Sequence, residues 1–318
     1  MTNERLPVWI DCDPGVDDAC ALLLASRLDC LEIRGISAVA GNVPLEKTFW
    51  NARALSEFYG MQAPVYPGAA RPLRGEQHTA EYFHGENGLG ECTLPAPERP
   101  EETKPAWDAL YEEAVRQQGK LTVIALGPMT NLATTLMKYP DFAGRVARIL
   151  MIVGGSEHGN VTPAAEFNAY ADPEAAAMLF RCGAPLVMLG LDVCMKAHAY
   201  PQELEAVFAP DTPQANFLRD AHRFSLRASA RFGLDRLALC DSCAVLYAAN
   251  PQLFTGVRCG VAVETRGRYT RGKTVVDAVT DHKFDFENAL FIYGVDREEF
   301  LKKMANLVAG CQVESETK

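Results

Sequence analysis

The strongest constraint on the fold of this chain is an acidic turn between two apolar segments near the N-terminus. Four carboxylates occur in the run DCDPGVDD at 11–18, directly after the apolar residues 8–10. Pro14 fixes φ and Gly15 permits unusual backbone angles, so the chain can reverse here and direct carboxylates from both sides of the turn toward one point. Residues 19–25 are apolar and predict a buried helix with acidic residues in its first turn.

This acidic turn also indicates a ligand. Carboxylates so close together repel one another and are costly to remove from water. Their crowding suggests a bound metal ion or a ligand rich in hydroxyl groups. The alternative interpretation is an acidic turn that only caps a helix.

Length and composition favour one large α/β domain. The chain has 318 residues, of which 48% are hydrophobic, and neither a linker nor a repeat at a fixed period divides it. We therefore predict a single domain over 1–318. The net charge of −10 argues against binding of nucleic acid, because phosphate contacts need clustered Lys and Arg. We expect a small neutral molecule or a second copy of the chain as partner.

Two features predict a cytoplasmic protein that does not enter a membrane. Residues 1–7 lack the apolar stretch of a signal peptide, and nowhere do eighteen apolar residues follow one another. The ten cysteines are scattered, and several lie in or beside apolar helical patterns. We expect most of them to be reduced.

Short apolar runs alternate with amphipathic segments along most of the chain. Strands are predicted at 8–10, 31–39, 121–126, 148–153 and 186–191. Helices are predicted at 17–28, 44–59, 105–118, 131–138 and 173–181. This alternation predicts an α/β fold with a mostly parallel, Rossmann-like sheet flanked by helices. The segment 254–292 is richer in β-type residues and predicts extra C-terminal strands before a last helix at about 296–308.

Polar residues follow several of the predicted strands. Asp11 and Asp13 follow the first strand, Gly41-Asn42 the second, and the segments 127–131 and 154–156 two later ones. In parallel sheets, ligands bind beyond the carboxyl ends of the strands. We therefore expect these segments to converge at one edge of the sheet.

Three further segments carry candidate binding residues. In 160–168, Glu166 and Asn168 stand two apart, so in an extended segment both could hydrogen-bond a polyhydroxylated ligand, although a surface loop with its own Asx turns is the alternative. Asp241 opens an apolar helix and on its own fits a helix cap better than a ligand. The glycine-rich loop 82–90 is either a lid that carries His84 to a ligand or a flexible connection.

Together these motifs resemble the calcium-dependent nucleoside hydrolases, which cleave the N-glycosidic bond of ribonucleosides. The resemblance covers nearly the whole chain, and its motifs occur in order: DCDPGVDD at 11–18, Gly41-Asn42, HGENGLG at 84–90, LGPMTN at 126–131, the segment 160–168, and Asp241. It implies a nucleoside as substrate, Ca²⁺ as cofactor, and assembly as a homodimer or homotetramer.

The resemblance also implies roles for individual residues. Ca²⁺ would be bound by the carboxylates of Asp13, Asp18 and Asp241 and by the main-chain carbonyl of Leu126, and Asp13 would take a proton from a calcium-bound water. The residues that would hold the ribose hydroxyls are Asp17, Asn42, Asn160, Glu166 and Asn168. Asp11 would support the cluster from behind, and Phe167 could pack near the ribose or the base.

The chain departs from the common family pattern at the residue before the late aspartate, where Cys240 stands in place of His. A departing base needs protonation, and a thiol can supply a proton in principle, so Cys240 is a candidate catalytic residue. It could equally be a small packed residue. Other donors could come from a helix at 214–231, which carries His222, Arg223, Arg227 and Arg231. The base preference is not readable from the sequence.

Two alternatives to a nucleoside hydrolase remain. One is a ribose- or nucleoside-binding protein with weak or lost catalysis, and Cys240 is its support. The other is a metal-dependent phosphohydrolase with an early Asp-x-Asp, but Pro14-Gly15 and the lack of a basic phosphate clamp argue against it.

Overall fold

The computed structural model describes residues 5–278 and 283–311. Its strands are β1 Leu6–Cys12, β2 Leu31–Ala38, β3 Val65–Pro67, β4 Thr122–Ala125, β5 Arg148–Met151, β6 Leu186–Leu189, β7 His198–Ala199, β8 Leu237–Ala238, β9 Phe254–Val263, β10 Thr274–Asp277 and β11 Ala289–Val295. Its α-helices are α1 Val16–Arg27, α2 Leu45–Phe58, α3 Glu81–His84, α4 Ala106–Gln117, α5 Thr130–Lys138, α6 Phe167–Ala171, α7 Pro173–Leu179, α8 Leu191–Cys194, α9 Pro201–Val207, α10 Pro213–Arg231, α11 Cys240–Ala249 and α12 Arg297–Val308.

The described strands form a nine-stranded sheet with the order β10-β9-β11-β6-β5-β4-β1-β2-β3, and β7 pairs with β8 separately. Strands β3, β2, β1, β4, β5, β6 and β11 run parallel, whereas β9 is antiparallel to β11 and β10 is antiparallel to β9. The strand order reverses between β1 and β4. In open α/β sheets, such a reversal opens a crevice at the carboxyl ends of the two strands.

Strand β1 is an interior strand of the sheet, paired with β2 and β4, and its residues 8–10 are apolar on both faces. Val8 and Ile10 pack into a core on one face, and Trp9, whose side chain points the other way, packs into a second core on the opposite face. Both cores are covered by helices. The sheet is therefore the middle layer of three, and the acidic turn at the end of β1 emerges at its carboxyl edge.

Helix α1 is buried along most of its length. Its residues from Ala19 to Ala25 are all buried, and the helix packs against α10, α11 and α12 as well as against the sheet. This all-round apolar surface explains why the sequence 19–25 lacks a polar face. Packing against α11 brings the first turns of two helices, each of which carries Asp, to the same edge.

The observed architecture confirms the predicted α/β fold, the mostly parallel sheet and the extra C-terminal strands. The predicted segments correspond to β1, β2, β4, β5, β6 and to the longer helices, but no sequence pattern indicated β3, β7 and β8, which are only two or three residues long. The single domain predicted over 1–318 includes residues 1–4, 279–282 and 312–318, which lie outside the described residues. The segment 254–292, in which extra strands were predicted, also includes 279–282. Among the helices described, none is long and apolar enough to cross a membrane. No disulfide joins the ten cysteines, all of which belong to the described residues, in line with the expectation that most are reduced.

Candidate active site

The polar segments converge, as predicted, on one cavity at the carboxyl ends of β1 and β4. Its volume of about 380 Å³ is within the range of small-molecule sites. The predicted site residues that line it are Asp13, Asp17, Asn42, His84, Leu126, Asn160, Glu166, Phe167, Asn168, Cys240 and Asp241. Asp18 is fully buried just behind this lining.

Asp13 is held in place from three sides. Its Oδ2 accepts a hydrogen bond of 2.8 Å from the backbone N–H of Asn42, whose side-chain amide in turn donates to the backbone oxygen of Asp13 at 3.1 Å. A Cβ at Gly127 would lie 2.6 Å from Asp13 Oδ1, and a Cβ at Gly41 would overlap Oδ2. The two glycines therefore leave the space that the carboxylate of Asp13 occupies.

The side chain of Asp18 is hydrogen-bonded to the backbone of the acidic turn to which it belongs. Its carboxylate accepts hydrogen bonds from the backbone N–H groups of Gly15, at 2.9 Å, and Asp13, at 3.3 Å. The amide of Asn42 donates to the same carboxylate at 3.3 Å. These bonds fix the turn that Pro14 and Gly15 permit, and they hold the carboxylate of Asp18 against the backbone N–H of Asp13.

Three carboxylates form a group suited to a cation. One oxygen each from Asp17, Asp18 and Asp241 lies within 4.8 Å of the others, although these residues come from the first turns of α1 and α11. Asp17 Oδ1 is buried without a hydrogen-bond donor. Asp241 lies with the other two carboxylates, so it is more than the helix cap that its position alone suggested.

The raised pKa values of the carboxyl groups at this site favour the binding of a cation. Burial, followed by the charge of Asp17, raises the pKa of Asp18 to about 7 and raises the pKa of Asp241 as well. Burial and the neighbouring Asp18 raise the pKa of Asp13. Several carboxylates that resist ionisation at one buried point fit a divalent cation, which would favour their charged forms.

The main-chain carbonyl of Leu126 is fixed by Asn168. The amide nitrogen of Asn168 donates to the oxygen of Leu126 at 2.6 Å and to that of Ile152 at 2.9 Å, so it joins the ends of β4 and β5. A carbonyl oxygen has two lone pairs, and Leu126 lines the cavity. Leu126 can therefore offer a second lone pair to a cation.

The predicted extended geometry of Glu166 and Asn168 is wrong. Asn168 lies in helix α6, and Glu166 is the residue that caps it, accepting hydrogen bonds from the backbone N–H groups of Asn168 at 2.8 Å and Ala169 at 3.1 Å. Gly154 N–H donates to the same carboxylate at 2.7 Å. Burial nevertheless raises the pKa of Glu166 to about 7. The helix turn, rather than strand alternation, brings both side chains to the cavity.

Asn160 fixes the start of the same helix from the preceding loop. Its Oδ1 accepts a hydrogen bond of 2.9 Å from the backbone N–H of Phe167. The ring of Phe167 is buried and lines the cavity. The side-chain amide nitrogen of Asn160 therefore remains for a ligand, beside an aromatic ring.

Asp11 lies behind the cavity, as the resemblance implied. Its Oδ1 accepts hydrogen bonds from the hydroxyl of Ser37 and, at 2.7 Å, from the amide of Asn131. Trp9 donates to the Ser37 hydroxyl at 2.8 Å, so a chain of hydrogen bonds runs from the core to the site. Burial raises the pKa of Asp11 to about 7.

The predicted loop around His84 is partly helical. Helix α3 ends at His84, whose ring is buried and whose Nδ1 accepts a hydrogen bond of 3.1 Å from the backbone N–H of Val16. Its hydrogen is therefore on Nε2. Burial lowers the pKa of His84, although Asp17 Oδ1 lies 3.8 Å from the ring. His84 is thus a neutral residue in the wall of the cavity, at the end of a short helix.

Cys240 lines the cavity, but its surroundings disfavour loss of a proton. A hydrogen bond with Cys194, together with burial, raises the pKa of its thiol. The proposed donors of α10 are elsewhere: His222 is buried with its pKa lowered to about 4 by burial, and its Nδ1 is bonded to the backbone oxygen of Leu218. Neither His222 nor Arg223, Arg227 and Arg231 lines the cavity.

Sequence reasoning missed several residues that line this cavity: Tyr82, His158, His198, Ser229, Phe232 and Arg236. Tyr82 and Phe232 are largely exposed, and their rings meet edge to face with centroids 5.9 Å apart. Tyr82 could have been found, because an aromatic residue in a glycine-rich loop is a usable signal for contact with a ligand. His198 and Arg236 gave none, because the strands beside them are too short for a periodic pattern.

Comparisons with known proteins agree with this geometry. Residues 8–302 match the family described as inosine-uridine preferring nucleoside hydrolase. The pyrimidine-specific ribonucleoside hydrolase RihA of Klebsiella pneumoniae is 37% identical over 309 residues, which cover 96% of this chain and 98% of the relative. The protein of the same name from Salmonella typhimurium is 38% identical over 305 residues, which cover 94% and 97%.

Two solved structures share the fold over nearly their full lengths. The plant nucleoside hydrolase PpNRh1 has a TM-score of 0.90 at 30% identity and covers 96% of this chain and 99% of its own. The purine-preferring ribonucleoside hydrolase from Gardnerella vaginalis has a TM-score of 0.89 at 31% identity and covers 96% and 98%. The chain therefore belongs to the inosine-uridine preferring nucleoside hydrolase family and is an enzyme that hydrolyses the N-glycosidic bond of nucleosides.

Proposed function

We propose that this enzyme releases ribose from ribonucleosides, with a preference for pyrimidine bases, and that Ca²⁺ is bound among the carboxylates below the cavity. The observation that carries the proposal is the group of Asp17, Asp18 and Asp241 at the base of a cavity of nucleoside size. The pyrimidine preference is supported by the names of the relatives that are 37% and 38% identical.

The residues that would hold Ca²⁺ are Asp13, Asp18, Asp241 and the carbonyl of Leu126. All are oxygen ligands, which suits a hard cation, and Asp17 adds its charge to the same group. When bound, Ca²⁺ would hold two ribose hydroxyls and lower the pKa of a water at the site. The raised pKa values of Asp18 and Asp241 support this assignment, because a cation would remove their mutual repulsion.

In this proposal, Asp13 takes the proton from the attacking water. Its carboxylate lines the cavity, and its only hydrogen bond from a described residue comes from the backbone N–H of Asn42 at Oδ2, so Oδ1 is left for the water. Burial and Asp18 raise the pKa of Asp13, and a carboxylate with a raised pKa is a stronger base. General base catalysis of this kind contributes about 10²–10⁴-fold to a rate.

The remaining polar groups would hold the sugar while its charge changes. As the C1′–N bond breaks, positive charge develops on the ribose, and the surrounding carboxylates stabilise it. The free amide hydrogens of Asn160 and the oxygens of Glu166 and Asn168 are placed for ribose hydroxyls. Because α6 and its cap fix all three, the sugar would be held by a rigid element rather than by a loop.

Of the two roles left open for Cys240, we propose packing beside the base. Its thiol is engaged by Cys194, and its raised pKa makes it a weak proton donor at neutral pH. We also propose a cytoplasmic location, which is supported by ten cysteines in the described residues that form no disulfide. Assembly as a homodimer or homotetramer stays a prediction.

The test is release of free ribose from a panel of purine and pyrimidine ribonucleosides, measured with Ca²⁺ and again after chelation. We expect release that depends on Ca²⁺ and is fastest with a pyrimidine. Tight binding of a nucleoside with Ca²⁺ but without cleavage over hours would instead support the binding protein considered above. Equal rates before and after chelation would contradict the assignment of the cation.

A further inference from the structure

A short ribbon beside the cavity carries a group of contacting polar side chains. Strands β7 and β8 pair antiparallel, with His198 opposite Ala238 and Ala199 opposite Leu237. Tyr200 and Arg236 are the next residues in this register. We define the ribbon cluster as His198, Tyr200 and Arg236. His198 and Arg236 line the same cavity as the carboxylates.

Tyr200 holds the other two members of the ribbon cluster. Its ring meets that of His198 edge to face, with centroids 5.3 Å apart. Its hydroxyl accepts a hydrogen bond of 3.3 Å from Arg236 Nη1, and the guanidinium carbon lies 6.0 Å from the ring centroid. The two cavity residues are therefore oriented by a shared neighbour.

Arg236 has a hydrogen-bond donor that no described residue uses. Its Nε is buried and has no acceptor in the described part of the chain. The carboxylate nearest to it, that of Asp235, lies 3.7 Å from Nη1 and is 75% exposed, so water screens this ion pair. A buried, unpaired donor on a cation is costly unless a ligand supplies the acceptor.

His198 presents an acceptor. Its Nδ1 lies 3.0 Å from the backbone oxygen of Met195, and because a carbonyl only accepts, Nδ1 carries the hydrogen of the neutral ring. Nε2 then has a free lone pair and no partner among residues 5–278 and 283–311. The cavity wall thus offers a charged donor and a neutral acceptor side by side.

We propose that Arg236 and His198 recognise the lactam edge of the base, with Arg236 donating to its carbonyl oxygen and His198 accepting from the adjacent ring N–H. This inference rests on the proposed function. It names bases that carry C(=O)–NH, such as uracil, as the substrate class. Cytosine offers the carbonyl without the adjacent N–H, and adenine offers neither.

The same contact would assist bond cleavage. When the C1′–N bond breaks, both its electrons stay with the base, and part of the negative charge moves to the carbonyl oxygen that Arg236 faces. Water supplies hydroxide to C1′, Asp13 takes the remaining proton, and the released base is protonated by solvent. A fixed donor to a developing oxyanion contributes about 10²–10³-fold to a rate, so a separate acid is unnecessary.

The experiment compares Arg236→Gln, Arg236→Lys and His198→Phe with the parent enzyme loaded with Ca²⁺. Substrates are uridine, cytidine and p-nitrophenyl β-D-ribofuranoside, whose phenolate leaves readily and has no lactam. The matched control is Arg231→Gln, the same change at an exposed arginine outside the cavity. Melting temperature identifies variants that fold poorly, and Arg236→Lys retains the charge if Arg236→Gln does not fold.

We expect Arg236→Gln to lower kcat/KM for uridine about a hundredfold, mostly in kcat, but by less than about threefold for the p-nitrophenyl riboside. Arg236→Lys should lose less than Arg236→Gln, and His198→Phe should lower the uridine to cytidine ratio about tenfold. Equal losses on all three substrates would show a structural role and overturn the inference. So would a selective uridine loss in Cys240→Ser with none in Arg236→Gln. A parent that cleaves no riboside overturns the proposed function itself.

Discussion

The side-chain amide of Asn168 donates a hydrogen bond of 2.6 Å to the main-chain carbonyl oxygen of Leu126. The second amide hydrogen goes to Ile152, so the nitrogen is fully used and Oδ1 is turned away from both strand ends. One side chain therefore orients a candidate cation ligand and also lines the cavity, where its Oδ1 is a candidate acceptor for the substrate.

Asn168→Asp tests this double role. An ionised carboxylate of the same shape cannot donate, and it would repel the carbonyls of Leu126 and Ile152. We expect kcat/KM to fall about a hundredfold and the affinity for Ca²⁺ to change as well, measured by ribose release and by calorimetric titration. Asn306→Asp, the same change at an exposed position of α12, is the matched control. Parent-like turnover in Asn168→Asp would remove Asn168 from the site.

Asp13→Ala is expected to abolish turnover and leave the fold intact. The change removes the proposed base, whose loss costs about 10²–10⁴-fold, and it leaves a small space between Gly41 and Gly127. Ribose release gives the rate, and circular dichroism with a thermal melt reports the fold. Near-normal rates in this variant would exclude Asp13 as the base.

Removal of Ca²⁺ should lower the melting temperature. A ligand present at 100 times its Kd stabilises the folded state by about 2.7 kcal/mol, which corresponds to several degrees in a protein of this size. Thermal melts with Ca²⁺ and after chelation measure the difference. Asp18→Asn removes a central carboxylate and should abolish most of the shift, and a shift of full size in this variant would place the cation elsewhere.

The metal-free enzyme should lose stability as the pH rises from 6.5 to 8.5. The pKa values of Asp11, Asp18 and Glu166 are raised to about 7 in the folded state, so the folded protein binds protons that the unfolded chain has already released. Their contribution is full below about pH 4 and is lost as the pH passes 7. His84 and His222, whose pKa values are lowered, act in the opposite direction only below pH 6.5.

Urea melts of the chelated enzyme at several pH values measure this slope. Saturating Ca²⁺ should flatten it, because the bound cation keeps the carboxylates of the site ionised in the folded state. A stability that increases with pH in the chelated enzyme would contradict the assigned directions.

The parts of the site that are local in sequence were predictable. Asp11, Asp13, Asp17 and Asp18 lie within eight residues, and their crowding alone indicated a metal ion or a ligand rich in hydroxyl groups. Asp241 needed the family resemblance, because nothing local shows that α11 packs against α1. The helix at Glu166 and Asn168 was mistaken for an extended segment, since a five-residue helix is too short to show a periodic pattern.

His198 and Arg236 could not have been predicted either, and the reason is different. Each belongs to or adjoins a strand of two residues, and only the pairing of β7 with β8 brings them together. Such pairing depends on where α8, α9 and α10 place the chain, which is a property of the tertiary fold. The proposed base-recognition site is thus the part of this enzyme least visible in its sequence.

Gly41 and Gly127 have no functional group, yet they leave the space that the carboxylate of Asp13 occupies. A single added methyl group at either position would push that carboxylate aside, and its other close contact would be one side chain, Pro128 at position 41 or Val39 at position 127. In a screen for inactive variants, such substitutions would give abundant, folded protein that keeps every acidic residue. The enzyme would be inactive because the carboxylate of Asp13 is displaced, although no functional group is removed.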